Sequence, residues 1–100
     1  MCVAWNVLLS VDAVRQFRAL SAFERSLLRD AMKRYLELSD PGEETRDRFR
    51  LRRLSEFADF ELRVQDFRVF YRLSETRVQA VLIGRKRGSE LIVEGRSFIL

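Results

Sequence analysis

The chain has 100 residues, of which 47% are hydrophobic and 11% aromatic, as expected for a single globular domain and not for a disordered segment. It has no histidine, and Cys2 is its one cysteine. An internal disulfide, a cysteine metal cluster and histidine-based catalysis are therefore excluded. The net charge of +4 is concentrated in residues 46–54, which hold five arginines and one acid. This local surplus indicates an anionic partner, either phosphate or an acidic protein segment.

The amino-terminal sequence predicts neither a leader nor a membrane segment. The stretch MCVAWNVLLS has no positively charged start, and its apolar run is too short for a signal peptide. No part of the sequence approaches the roughly 18 consecutive apolar residues that a transmembrane helix needs. We therefore expect a cytoplasmic protein that makes no membrane contact.

The first half predicts a strand followed by a helical hairpin. Residues 4–9 are rich in β-formers, and Ser10 can cap a helix that follows them. Ser21 and Glu24 have capping-box spacing, so a second helix begins there, and Asp-Pro-Gly at 40–42 ends it. The apolar positions expected to face the core are Val11, Val14, Phe17 and Leu20 in the first helix, and Phe23, Leu27, Leu28, Ala31, Tyr35 and Leu38 in the second.

The second half changes to the two-residue period of β-strands. Residues 60–65 alternate apolar and polar side chains, which predicts a half-buried strand. After a tight turn at Asp66, residues 67–73 predict a second strand. Residues 77–83 predict a third strand, which is more apolar and is therefore expected to be more central.

The carboxyl-terminal part predicts one more hairpin. Gly84 is expected to end the third strand, and residues 90–94 and 96–99 to pair around Gly95. The chain is therefore expected to be one α+β domain over residues 1–100, with an N-terminal strand, a helical hairpin and then an antiparallel β-meander.

Several kinds of chemistry have no signature here. The sequence contains no CxxC pair, no phosphate-binding glycine loop and no GxSxG elbow. Its acidic residues do not have the spacing of metal ligands. We therefore expect neither a metal nor another cofactor.

Arginines occupy many polar positions of the predicted sheet. Alternation places Arg63 on the polar side of one strand, and Arg68 with Arg72 on one side of the next, so a hairpin would bring them to one surface. Arg85 and Lys86 could close over the same surface. Guanidinium groups bind phosphate well and can stabilise a phosphorane-like transition state. RNA cleavage by its own 2′-hydroxyl requires neither a metal nor histidine.

The same arginines have a structural alternative, which the sequence leaves open. They could form ordinary cross-strand ion pairs with Glu61, Asp66 and Glu75. Exposed pairs of that kind contribute little to stability and imply no ligand.

Two segments resemble a known signature. FELRVQDFRVFYRL at 60–73, followed by VLIGRKRG at 81–88, is similar to the signature of RelE/ParE-type toxins. The tail GSELIVEGRSF and Thr45-Arg46-Asp47-Arg48 resemble one subgroup of that family, and the order of elements agrees. The resemblance implies a RelE-like fold and the toxin of a type II toxin–antitoxin system that cleaves mRNA on the ribosome.

The resemblance also implies roles for individual residues. It gives catalytic roles to Arg63, Arg68 and Lys86, with Arg68 in the strongest part of the signature. It gives RNA-binding roles to the remaining arginines of these segments, Arg72, Arg85 and Arg87. The implied partners are the ribosome with its mRNA and a cognate antitoxin in a hetero-oligomer, and we expect the antitoxin to contact Arg48, Arg52 and Arg53.

The sequence departs from the family pattern at positions that affect the chemistry. Glu61 stands where nucleolytic members often have a basic residue, and Ile92 stands near an expected tyrosine or histidine. Arginine cannot serve as a general base, which leaves Glu56, Glu61 and Lys86 as candidates. We interpret Tyr71 as a core residue. Two alternative functions follow, a ParE-like inhibitor of DNA gyrase and an inactive toxin-fold binding protein.

Overall fold

The computed structural model describes residues 5–51 and 58–99, which form a seven-stranded sheet with two helices packed on one face. A π-helical turn, Lys33–Glu37, continues the second helix. The elements in chain order are β1 (Asn6–Leu9), α1 (Val11–Arg18), α2 (Ala22–Met32), β2 (Arg48–Arg50), β3 (Phe60–Val64), β4 (Phe67–Ser74), β5 (Arg77–Arg87), β6 (Glu90–Val93) and β7 (Arg96–Ile99).

The sheet is organised around β5. Its strand order is β2-β3-β4-β5-β6-β7, with every one of these pairs antiparallel. β4 occupies one edge of β5, and its other edge is shared by β6 and by β1, which pairs in parallel with residues 77–80. The predicted α+β layout of strand, helical hairpin and meander is confirmed for the described residues, as is the central position of the third predicted strand.

The helix α1 closes the gap that β1 and β6 leave on the edge of β5. The hydroxyl of Ser10 accepts the Ala13 N–H as the helix cap and donates to the carbonyl of Val81 at 3.0 Å. The buried Gln16 side chain accepts the Ile83 N–H at 2.6 Å. Two polar side chains thus satisfy backbone groups that lack a strand neighbour.

Both predicted caps are confirmed, but the predicted helix faces are partly wrong. Ser21 and Glu24 form the expected capping box. Val11 and Phe23, however, each in the first turn of its helix, are 83% and 76% exposed. The buried positions of α1 are Ala13 and Gln16.

The π-helical turn explains the error at the end of α2. Leu38 donates its N–H to the Lys33 carbonyl five residues earlier, which widens the last turn. With this wider turn the buried residues are Leu28 and Ala31, as predicted, together with Met32 and Leu36. Tyr35 and Leu38, which were predicted to face the core, are rotated to the exposed side.

Each face of the sheet carries its own apolar cluster. The helix face, covered by α1 and α2, holds the larger cluster, including Leu62, Val69 and Val78. The opposite face, which we call the far face, holds a smaller one around Phe70 and Leu91. Side chains alternate between these faces along each strand, so the face of each arginine follows from its register.

Tyr71 lies in the core as predicted. It is fully buried, stacks on Phe60 with ring centroids 5.3 Å apart, and donates its hydroxyl to the Pro41 carbonyl at 2.7 Å. Burial raises the pKa of this phenol well above its usual range. Tyr71 is therefore neutral and joins the sheet to the turn that ends the helical hairpin.

The prediction that Gly84 ends the third strand is wrong, because β5 continues through it to Arg87. A Cβ at Gly84 would stand 2.9 Å from the side chains of both Leu91 and Val93. Glycine is required here because β6 packs its apolar side chains directly over the strand.

Candidate functional site

Arg63 and Arg68 lie directly opposite each other on β3 and β4. The backbone N–H of Arg63 donates to the backbone carbonyl of Asp47, in the segment leading into β2. This N–H therefore points away from β4. The two arginines therefore form a non-hydrogen-bonded pair, the class in which opposing Cα atoms stand only about 4.5 Å apart. The predicted sharing of one surface by Arg63 and Arg68 is confirmed.

Lys86 lies on the same far face at the same end of the sheet. Arg68 is opposite Gly84 on β5, and Lys86 follows Gly84 by two residues. The Lys86 N–H donates to the carbonyl of Asp66, in the turn that joins β3 and β4, at 2.7 Å. We call Arg63, Arg68 and Lys86 the basic corner.

Arg68 is the buried member of the basic corner. It is 8% exposed, and its Nη1 donates to the carbonyls of Gln65 and Phe67, each at 2.8 Å. Burial is the largest cause that lowers the pKa of its guanidinium, and the charge of Arg63 lowers it further, whereas the charges of Glu61, Asp66 and Asp47 raise it. Arg68 therefore holds the β3–β4 turn and contributes charge from beneath the surface.

Arg63 is the accessible member. Its side chain is 44% exposed, and its guanidinium lies over the Phe49 ring, 4.7 Å from the centroid. Its Nε is 4.0 Å from a carboxylate oxygen of Glu61, which is buried. Phe49 and Glu61 thus fix the direction in which Arg63 presents its remaining donors.

The basic corner can bind an anion. Like charges directly opposite each other on neighbouring strands repel, and at Arg68 the carboxylates of Glu61, Asp66 and Asp47 offset part of the repulsion from Arg63. Arg63 and Glu61 form an ion pair at the 4.0 Å limit of such a contact, but both lie on β3, so this pair is not one of the cross-strand pairs considered as an alternative. A phosphate oxygen would relieve the repulsion between the two cations.

Arg85 does not share this surface, contrary to expectation. Because β5 continues through Gly84, Arg85 pairs with Phe67 and lies on the helix face. Its guanidinium stacks on Phe67 at 4.8 Å and forms an ion pair with Glu24 of α2. The pKa of Glu24 is lowered chiefly by a hydrogen bond from the Ser21 backbone, with Arg85 adding to the effect. Arg87 follows by two residues and is exposed.

The other predicted site residues are scattered. Arg72 is half-buried on the far face, four residues along β4 from Arg68, or roughly 13 Å away. Arg48 is buried on the helix face and donates to the carbonyls of Glu43 and Tyr35. It therefore supports the turn after α2. Arg52, Arg53 and the candidate base Glu56 lie outside the described residues.

A groove that the sequence did not predict opens beside Arg63. It has a volume of about 390 Å³ and lies between α2 with its π-helical turn and the edge formed by β3 and the start of β2. We call it the α2 groove. Its polar lining consists of Asp30, Arg34, Tyr35, Asp47, Arg63 and Gln65. The turn that rotates Tyr35 outward has no local sequence signal, so periodicity assigned this residue to the core.

Within the described ranges, no helix is long and apolar enough to cross a membrane, and no three acidic, cysteine or histidine residues are grouped to hold a metal ion. The chain matches no protein-family model, and no curated protein or solved structure shows a significant similarity to it.

Proposed function

We propose that the chain is a toxin of the RelE/ParE type that binds RNA at the basic corner and cleaves mRNA on the ribosome. The observation that carries the proposal is the close pairing of Arg63 with Arg68 beside Lys86. The two cations repel each other, and a bound phosphodiester would relieve that repulsion. The ribosome and the antitoxin enter the proposal through the sequence resemblance.

In the proposed reaction, the 2′-oxygen of a ribose forms a bond to the adjacent phosphorus, and the bond to the 5′-oxygen of the next nucleotide breaks. Arg63 contacts the non-bridging oxygens, where charge accumulates, while Arg68 adds a positive potential from below. The half-buried Lys86 donates a proton to the departing 5′-oxygen, and the 2′-hydroxyl proton passes to solvent. The products are a 2′,3′-cyclic phosphate and a 5′-hydroxyl.

The roles of the two arginines differ in this proposal. Arg63 has the exposed guanidinium and is the residue that touches RNA. Arg68 has two of its donor contacts committed to Gln65 and Phe67, so it positions the turn and lends charge. The reading from the signature alone gave Arg68 the leading role.

The experiment is induced expression followed by mapping of mRNA 5′ ends, with purified ribosomes present or absent in a parallel reaction. We expect new 5′ ends within coding regions that require ribosomes and disappear with Arg63→Ala. Arg77→Ala is the control, because Arg77 is exposed at the opposite end of β5. Growth arrest without new 5′ ends would contradict cleavage and favour gyrase inhibition or simple binding.

We also propose a cognate antitoxin that contacts the arginine-rich stretch at Arg52 and Arg53. Arg48 is left out because its guanidinium is buried. Changing Arg52 and Arg53 together to glutamate should weaken binding of the protein encoded by the neighbouring gene, measured by titration calorimetry, at unchanged stability. Arg77→Glu is the charge-reversal control. If the double variant and this control bind the antitoxin with equal affinity, the antitoxin contacts another part of the surface.

A further inference from the structure

The α2 groove contains charged side chains for which the described part of the chain supplies no ion pair or hydrogen bond. Asp30 lies on α2, Arg34 on the π-helical turn that continues it, and Asp47 in the segment before β2. In the described part of the chain, none of these three side chains forms an ion pair or a hydrogen bond, and the charge of Asp47 acts on Arg68 from a longer distance. The groove therefore offers both acceptors and a donor to a ligand.

Tyr35 adds an aromatic surface to the same groove. The π-helical turn places Leu36 in the core and leaves Tyr35 37% exposed on the groove wall. Single-stranded RNA is commonly recognised by stacking an unpaired base on such a ring and bonding its edge to polar side chains. Wide turns of this kind frequently occur at functional sites.

We propose that the α2 groove binds one unpaired nucleotide of the RNA, with its base on Tyr35 and its phosphate on Arg63. The groove volume of about 390 Å³ lies within the range of roughly 300–1,000 Å³ of small-ligand clefts. Arg63 belongs both to this groove and to the basic corner, so an RNA held there continues into the groove. The inference rests on the proposed function, since it requires RNA at Arg63.

The two carboxylates select for bases that carry an exocyclic amino group. Asp30 and Asp47 can only accept hydrogen bonds, and cytosine presents an N4 amino donor where uracil has a carbonyl. A carboxylate repels the carbonyl oxygen of uracil, whereas it accepts a hydrogen bond from the amino group of cytosine. The groove should therefore prefer cytidine to uridine.

The test is fluorescence anisotropy of the full-length protein with short 2′-O-methyl oligocytidine and oligouridine, whose blocked 2′-oxygens prevent cleavage. We expect oligocytidine to bind about tenfold more tightly. Tyr35→Leu should weaken both affinities about tenfold through lost stacking. The double variant Asp30→Ala/Asp47→Ala should bring the ratio of the two affinities to one. Removing negative charge should strengthen the binding of both oligonucleotides equally, so this general effect does not change the ratio.

Matched controls separate the groove from the rest of the surface. Phe23→Leu changes an exposed aromatic residue on the same helix and should leave both affinities unchanged. Asp59→Ala removes an exposed carboxylate away from the groove and should leave the cytidine preference intact. A ratio of one in the wild type, or a preference that survives the double variant, would overturn the inference.

Arg63→Ala distinguishes failure of this inference from failure of the proposed function. If it abolishes binding of both oligonucleotides while the groove variants have no effect, the RNA surface stands and the groove is not a nucleotide site. If the wild type binds neither oligonucleotide, the nucleotide site is rejected, and the mapping of mRNA 5′ ends still decides the proposed function. Groove variants without effect would also point to a protein segment as the occupant.

Discussion

Arg63 and Arg85 lie at the same end of the sheet, two strands apart, and each stacks its guanidinium on a phenylalanine. Arg85 also meets the carboxylate of Glu24, which α2 places against it on the helix face. Arg63 lies opposite a second arginine, Arg68, on the far face, and its contact with the Glu61 carboxylate is long, at 4.0 Å. Two arginines of one signature therefore have different surroundings, which supports a structural role for Arg85 and the anion-binding role that we propose for Arg63.

The Arg63→Ala substitution gives the strongest test of the difference between Arg63 and Arg85. Under the proposed mechanism, the substitution removes an exposed transition-state contact worth about 3 kcal/mol, so ribosome-dependent cleavage should slow roughly a hundredfold. Rates would be measured in a reconstituted translation reaction, with Arg77→Ala as the control. Arg63→Lys should restore only part of the rate, because an ammonium cannot reproduce a planar fork. Full activity of Arg63→Ala would remove the basic corner from the reaction.

Arg48→Ala should affect stability, because Arg48 belongs with the structural arginines. The Arg48 guanidinium is buried and donates to two carbonyls, so its loss should cost about 2–3 kcal/mol in the free energy of unfolding. Arg50→Ala in the same strand is the matched control, since Arg50 is exposed and stacks on Phe60. Urea unfolding followed by circular dichroism measures both. Equal effects of the two substitutions would contradict the assigned role of Arg48.

Arg85→Gln should have the smallest effect. Because Arg85 lies on the opposite face from Arg68, cleavage and RNA affinity should be indistinguishable from those of the wild type. The same cleavage assay applies, corrected for the folded fraction. A tenfold loss of rate would mean that the end of β5 joins the site and that both faces contribute.

The sequence predicts those features of this fold that depend on neighbouring residues. The caps at Ser10 and Ser21, the alternation in β3 and β4, and the hairpin at Gly95 each depend on a few adjacent side chains. The sheet face on which Arg85 lies depends instead on whether β5 continues through Gly84. It does continue, and the glycine is needed there because Leu91, distant in sequence, packs over it.

In the candidate site, too, the sequence predicts the features set by neighbouring residues and misses those set by tertiary packing. Its arginine pair follows from strand alternation and a two-residue turn, so the sequence predicts that Arg63 meets Arg68. Burial of Arg68 and exposure of Tyr35 depend on tertiary packing and on a π-helical turn. Periodicity assumes a regular helix and cannot detect such a turn.

The central claim is that the Arg63–Arg68 pair opposes folding and is retained for anion binding. A double-mutant cycle with Arg63→Gln and Arg68→Gln tests it most directly, with the free energy of unfolding and RNA affinity measured on the same four proteins. We predict a coupling of about 0.5–1 kcal/mol that is unfavourable in folding, weakens with added salt, and is favourable in RNA binding. A coupling that stabilises the folded protein and is absent from RNA binding would contradict the account.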